Sequence, residues 1–247
     1  MQQNQQPNQQ PNQGTIIVPS GVTPVHGLDL WEVIVIQSAF GKPVADAFRA
    51  LANDEGMPAE KVEEIVRNYQ GVLDKQEWAL ANKAANVVAL EDPLWSAIYR
   101  DGKTQYRPSF DGILYQDALA VMDDIVRSGE CFGVLTSGAS PWVADGIAHS
   151  RPDLARALSG VYAGDKKKPE TFQRIAREVA QTGGQLVTHT EDDLKVLCAA
   201  RDSGVYQPAG LVYVERENIQ TPTSVEAQGM RFVRDLREVP YTALVHK

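Results

Sequence analysis

The sequence predicts an α/β protein: a Rossmann-like, mostly parallel sheet with helices on both faces, plus an inserted α-helical domain. Three observations predict it. From residue 114 onward, amphipathic helical stretches alternate with short apolar runs, the rhythm of strand–helix–strand units. Near the N-terminus the run Thr15-Ile16-Ile17-Val18 reads as one more buried strand for the same sheet. Between them lies a long stretch, 28–106, whose apolar residues recur at helical spacing.

Taken in order, residues 1–14 are rich in Gln, Asn and Pro and carry no charged side chain. They lack the basic start and apolar core of a secretory signal, so they read as a disordered tail. In the 28–106 stretch, segments 44–53, 59–70 and 74–89 show the helix period; Val62, Ile65, Val66 and Tyr69 share one face. Trp31, Trp78 and Trp95 are expected to pack between helices. The β-branched run 31–36 suits a strand as well as a helix. Beyond it come a helix over 114–128 stopped by Gly129, a strand over 131–135, and a helix over 141–149 capped by Ser140. A weak strand at 161–163 precedes a helix over 169–181 that Gly183-Gly184 stops. A strand at 186–188, a helix over 191–203 stopped by Gly204, and strands at 211–214 and 231–233 complete the chain. The α/β core is then 15–27 with 107–247, and the helical insertion is 28–106. No internal repeat is present.

Bulk properties exclude several classes. A net charge of −8 and a single short basic run, Lys166-Lys167-Lys168, argue against nucleic-acid and anionic-membrane partners. No apolar run reaches membrane-spanning length, so a cytoplasmic protein is expected. The two cysteines, Cys131 and Cys198, are expected as reduced core residues, and no His or Cys cluster has zinc-site spacing.

In a parallel sheet, ligands bind beyond the C-terminal strand ends, where loops open onto helix N-termini. Four such loops carry candidate chemistry. The first, after Val18, holds Pro19, Ser20, Gly21 and Thr23. The second, Thr136-Ser137-Gly138-Ala139-Ser140, offers hydroxyls and backbone N–H groups to an anion. The third places Lys166 just before a helix, where it can neutralise phosphate charge. The fourth, Thr188-His189-Thr190-Glu191-Asp192-Asp193, offers acids to Mg²⁺; the plainer alternative is a helix cap with acids in its first turn.

Hydroxyl, lysine and acid pair, in this order and each at a strand end, resemble the haloacid dehalogenase-like (HAD) superfamily of phosphatases and related hydrolases. The likeness spans nearly all of the chain after the tail. The 114–136 stretch looks like the family's second motif, with Thr136 as its hydroxyl residue. Lys166 has the usual distance to the following Pro169 and Phe172; Lys168 is the alternative lysine. The 187–204 stretch looks like the fourth motif, with Asp193 at the position of its second acid. The insertion is similar to the helical cap of the phosphoglycolate-phosphatase-like branch. Asp235-Leu236-Arg237-Glu238-Val239 resembles the usual close of the family.

The family's first motif is a strand followed by Asp-x-Asp, the first Asp nucleophile and the second general acid/base. With Val18 as the last strand residue, Pro19 and Gly21 occupy the two Asp positions, Thr23 keeps the family's hydroxyl, and His189 replaces a metal-binding acid. Asp29 and Asp111 are the other candidates for nucleophile, but neither follows a recognisable strand. The expectation is a pseudoenzyme: a HAD-fold binding or scaffold protein with an anion pocket at Thr136, Ser137 and Lys166, and at most a weak metal site at Asp192 and Asp193. The implied partners are a phosphorylated small molecule or a protein, with a homo-oligomer also compatible, and no cofactor is expected. The alternatives are an active Mg²⁺-dependent phosphatase whose first motif lies elsewhere, and a hydrolase using His189 with Ser20 or Thr23.

Overall fold

A computed structural model describes residues 16–36, 39–73, 88–137, 142–217 and 219–246. Its centre is a six-stranded parallel sheet, formed by β2 (Thr23–Asp29), β3 (Cys131–Thr136), β4 (Leu158–Ala163), β5 (Gly184–Glu191), β6 (Leu211–Val214) and β7 (Arg231–Val233). The strand order is β4-β3-β2-β5-β6-β7, so the chain reverses direction across the sheet beside β2. Successive side chains of a strand face opposite ways. Accordingly, Val212 and Val214 join one apolar cluster with Leu28, Phe132, Val134 and Phe110, while Leu211 and Tyr213 join another with Val25, Leu135, Phe172 and Ile175. Helices cover both faces: α4 (Gln116–Arg127) packs its buried Ala118, Val121, Met122 and Ile125 on the first side. Two others, α7 (Pro169–Gln181) and α8 (Leu194–Asp202), pack on the second.

Between β2 and β3 the chain forms α1 (Gly41–Asp54), α2 (Ala59–Leu73) and α3 (Val88–Tyr99) before α4. Val44, Phe48 and Leu51 bury one stripe of α1, and Arg49 ties it to α2 through Glu63 at 2.8 Å. After β3 come α5 (Trp142–Ser150) and the short α6 (Pro152–Ala155), and α9 (Pro222–Glu226) precedes β7. The expected tail, Trp78, the Ser140 cap and most of the 74–89 helix lie outside the described residues. Among the described residues no helix is long and apolar enough to cross a membrane.

The opening strand differs from the sequence expectation. β1 (Ile16–Ile17) is not in the main sheet; it pairs with β8 (Val245–His246) at the other end of the chain. The central strand is β2, which takes in Leu28 and Asp29 from the stretch assigned to the insertion. β2 concealed itself because it carries Pro24, His26 and Gly27, residues that strands ordinarily avoid or bury poorly. Each has a local reason here. Pro24 lies before the point where β3 begins pairing, opposite Val25, so its missing N–H interrupts no ladder on that side. Buried His26 meets Glu130 at 2.8 Å and Thr188 at 3.0 Å. A Cβ on Gly27 would stand 3.1 Å from the Thr188 carbonyl oxygen.

The ambiguous 31–36 run is neither helix nor strand but an irregular turn, with isolated bridges from Trp31 to Val35 and from Val35 to Leu114. Within it Glu32 adopts φ +56°. Arg216 holds this turn: its Nε donates to the Glu32 carbonyl at 3.0 Å, and its outer nitrogens grip Asp117 at 2.9 and 3.0 Å.

Candidate active site

The parallel register brings four strand ends to one edge. Leu28 lies opposite Thr190, so Asp29 and Glu191 close their strands side by side. Asp29 also faces Leu135, one residue before Thr136. The loop after β4 carries Lys166 into the same place. Lys166 is 4% exposed, and its Nζ donates to Asp29 Oδ1 and, at 2.6 Å, to Glu191 Oε2. Lys167 and Lys168 instead lie at the surface, beside Asp193 at 3.6 Å and Asp165 at 3.3 Å.

One ammonium therefore faces two buried carboxylates, and Asp192 adds a third: ligand oxygens of Asp29, Glu191 and Asp192 all lie within 4.8 Å of one another. The electrostatics follow from this excess of negative charge. Burial, then repulsion from Glu191, pushes the Asp29 carboxyl up to about 8 against the pull of Lys166. Burial and Glu191 push Asp192 up to about 9. Burial would raise Glu191 too, but Lys166 and His189 outweigh it and hold that carboxyl below the usual range. Hard oxygen donors with surplus negative charge fit a divalent cation such as Mg²⁺.

The sequence expectations fare unevenly here. Lys166 and Thr136 stand at the strand ends, Thr136 fully buried, and Ser137 is exposed beside it. Gly138, Ala139 and Ser140, the rest of the expected anion loop, lie outside the described residues. Pro19 and Gly21 do not lie at the strand ends beside Lys166: they sit in an exposed turn before β2, at the opposite end of the sheet from Asp29. Thr23 opens β2 at that same far end, opposite Gly184. Ser20 is in that turn as well, so it cannot pair with His189, which lies level with Gly27. His189 is not at the crest of β5: the strand runs three residues past 188, and Glu191 takes the crest. Asp193 is outside the acid cluster; it caps α8 by accepting from the Lys195 N–H at 2.8 Å. Asp111 is exposed in a turn, bonded to Ser109. Asp29 was named in the sequence but set aside for want of a preceding strand, which β2 supplies, and Glu191 was not singled out from its acidic loop. The signal for Asp29 was there: a strand-length run starting just after the Pro-Ser-Gly turn and ending in Leu28-Asp29.

Aligned on Asp29, the second position of the Asp-x-Asp pattern is Trp31. Trp31 is half-buried and stands edge-on to Phe40, with ring centroids 4.9 Å apart.

The fold and the strand-end site together define a class, a Rossmann-like α/β protein with a helical insertion after its central strand. No model of a known protein family matches the sequence, and no curated protein matches it. Solved structures do match. The UTR4 protein of Saccharomyces cerevisiae is 14% identical, with 88% of this chain and 100% of that chain covered and a TM-score of 0.50. CbbY from Rhodobacter sphaeroides, in complex with xylulose-1,5-bisphosphate, is 15% identical over 89% of this chain and 96% of that chain, with a TM-score of 0.49. The HAD-hydrolase YfnB from Bacillus subtilis, bound to magnesium, is 15% identical over 88% and 96%, with a TM-score of 0.47. The chain shares its fold, a parallel sheet with helices on both faces, with the UTR4 protein.

Proposed function

We propose that the chain is a covalent hydrolase of the HAD type, with Asp29 as nucleophile and a phosphorylated small molecule as substrate. The observation that carries this reading is Asp29 at the end of the central strand, bonded to Lys166 and beside two further carboxylates. In it, an Asp29 oxygen bonds to phosphorus while the bond to the leaving oxygen breaks and its electron pair departs with that oxygen. Water then attacks the aspartyl-phosphate, releasing phosphate and restoring the carboxylate. Lys166 balances charge on the phosphoryl oxygens, and Thr136 receives them. Asp29, Glu191 and Asp192 would hold Mg²⁺, which when bound offsets the carboxylate charge and polarises phosphoryl oxygens. The helical insertion acts as the cap over these strand ends.

The Trp31 indole N–H is far too weak an acid to protonate a leaving oxygen. The substrates that suit the site are therefore those whose leaving oxygen is stable as an anion, such as acyl or aryl phosphates. The test is turnover of acetyl phosphate and p-nitrophenyl phosphate with Mg²⁺ and with EDTA. Mg²⁺-dependent turnover that falls to the protein-free rate in Asp29→Asn is expected; turnover undiminished in that variant would refute the reading.

Trp31 also favours a second reading, a protein that binds a phosphorylated ligand without cleaving it. Thermal stabilisation by phosphate with no turnover of either substrate would select it.

A further inference from the structure

We infer that His189 is a positioning residue for the cation site: its buried imidazole fixes the orientation in which Glu191 is presented beside Asp29 and Asp192. The inference rests on the reading of those three acids as a cation site.

His189 lies in β5 two residues before Glu191, so both side chains leave the same face of the strand. The ring is fully buried. Phe172 and Tyr206 enclose it, with ring centroids 5.2 and 5.8 Å away. On the neighbouring strand Gly27 leaves it room, since a Cβ there would come within 3.3 Å of Nδ1. Neither ring nitrogen has a short hydrogen bond among the described residues; the groups that approach the ring are the Gly27 backbone and Glu191. A polar ring in an aromatic box is costly unless something answers it, and an apolar side chain would fill the same space without that cost. One charged group is close enough to answer: Glu191 Oε2, 3.5 Å from Nε2.

A carboxylate only accepts, so the ring must carry its hydrogen on Nε2 to meet it. The same Oε2 takes the 2.6 Å bond from Lys166, while Oε1 lies 3.4 Å from the Asp193 N–H. His189 is thus the third constraint on the Glu191 carboxylate. Groups that orient a metal ligand from behind raise metal affinity about 10–100-fold.

The experiment is calorimetric titration of the full chain with Mg²⁺ for wild type, His189→Leu and His189→Gln. The glutamine amide can place a donor near the position of Nε2; leucine fills the box and donates nothing. The expected result is Mg²⁺ binding weakened at least about tenfold by leucine and less than about threefold by glutamine. Equal affinity of wild type and His189→Leu, or equal weakening by both substitutions, would overturn the inference. Should the leucine variant not fold, ¹⁵N-histidine spectra of the wild-type chain decide. The proposal expects a His189 ring protonated at Nε2 whose signals move with Mg²⁺; an Nδ1-protonated ring, or signals that Mg²⁺ leaves in place, refutes it. Wild type that binds no Mg²⁺ would take down the cation-site reading together with this inference. Wild type that binds, alongside an unaffected His189→Leu, would take down this inference alone.

Discussion

Replacing Lys166 by methionine would leave Asp29 and Glu191 facing each other inside the protein with no cation between them. Breaking a buried charge cluster in this way costs ~3–5 kcal/mol, less whatever Asp29 recovers by keeping a proton. Urea unfolding of Lys166→Met in EDTA is expected to show that loss, and Mg²⁺ to recover part of it by binding the folded state. The same carboxylates give the metal-free protein a pH dependence. Asp29 and Asp192 hold protons in the fold up to about 8 and about 9, whereas an unfolded aspartate releases its proton near 3.8. Their contribution is fully present below that lower value and is lost as pH rises through the upper ones. Glu191 shifts the opposite way, so its own contribution is lost only on acidification. Melting temperature in EDTA should therefore fall between about pH 5 and pH 9, with a smaller fall in Asp29→Asn or with Mg²⁺ present. A flat profile in EDTA would contradict the charge arrangement of the site.

At the scale of elements, α5 meets the core through a glycine. A Cβ on Gly146 would lie 2.5 Å from the ring of Phe110, a fully buried side chain. Gly146→Ala should cost ~1–3 kcal/mol by overpacking, and Phe110→Leu in the same chain should return part of it; calorimetric melts of the single and double variants check this. Elements with their own local signals were legible in the sequence. α7 was read to its ends because Pro169 suits a first turn and Gly183, at φ +79°, stops it. β3, β6 and β7 were read within a residue of their bounds, but β2 and β5 were not. β5 continues past its apolar core through His189, Thr190 and Glu191, whose polar groups are met only by distant parts of the fold: Thr190 by Tyr241 at 2.8 Å, Glu191 by Lys166. A strand buried on both faces by tertiary partners carries no alternation to read. That is why the Thr136 and Lys166 loops were found while the two strand crests bearing Asp29 and Glu191 were misplaced. A β-branched run of Ile and Val then claimed the central position that Pro24, His26 and Gly27 concealed.

At the scale of the molecule, the site sits where the chain changes direction across the sheet, beside β2, and the insertion leaves the core directly beyond Asp29. The turn after Asp29 is held by Arg216 from beyond β6, so opposite halves of the sheet are coupled at the site. The ends of the described chain are coupled as well. Ile16 and Val245 are buried partners, and a chain ended at Ala243 should melt several degrees lower, with the N-terminal segment more open to proteolysis. Because β1 and β8 run parallel, a linker from His246 to Ile16 must turn back along the pair, a crossover of about a dozen residues. The described residues thus form a nearly closed loop: it should tolerate being joined there and reopened at the exposed Gly56 turn between α1 and α2, with the order of the six central strands untouched.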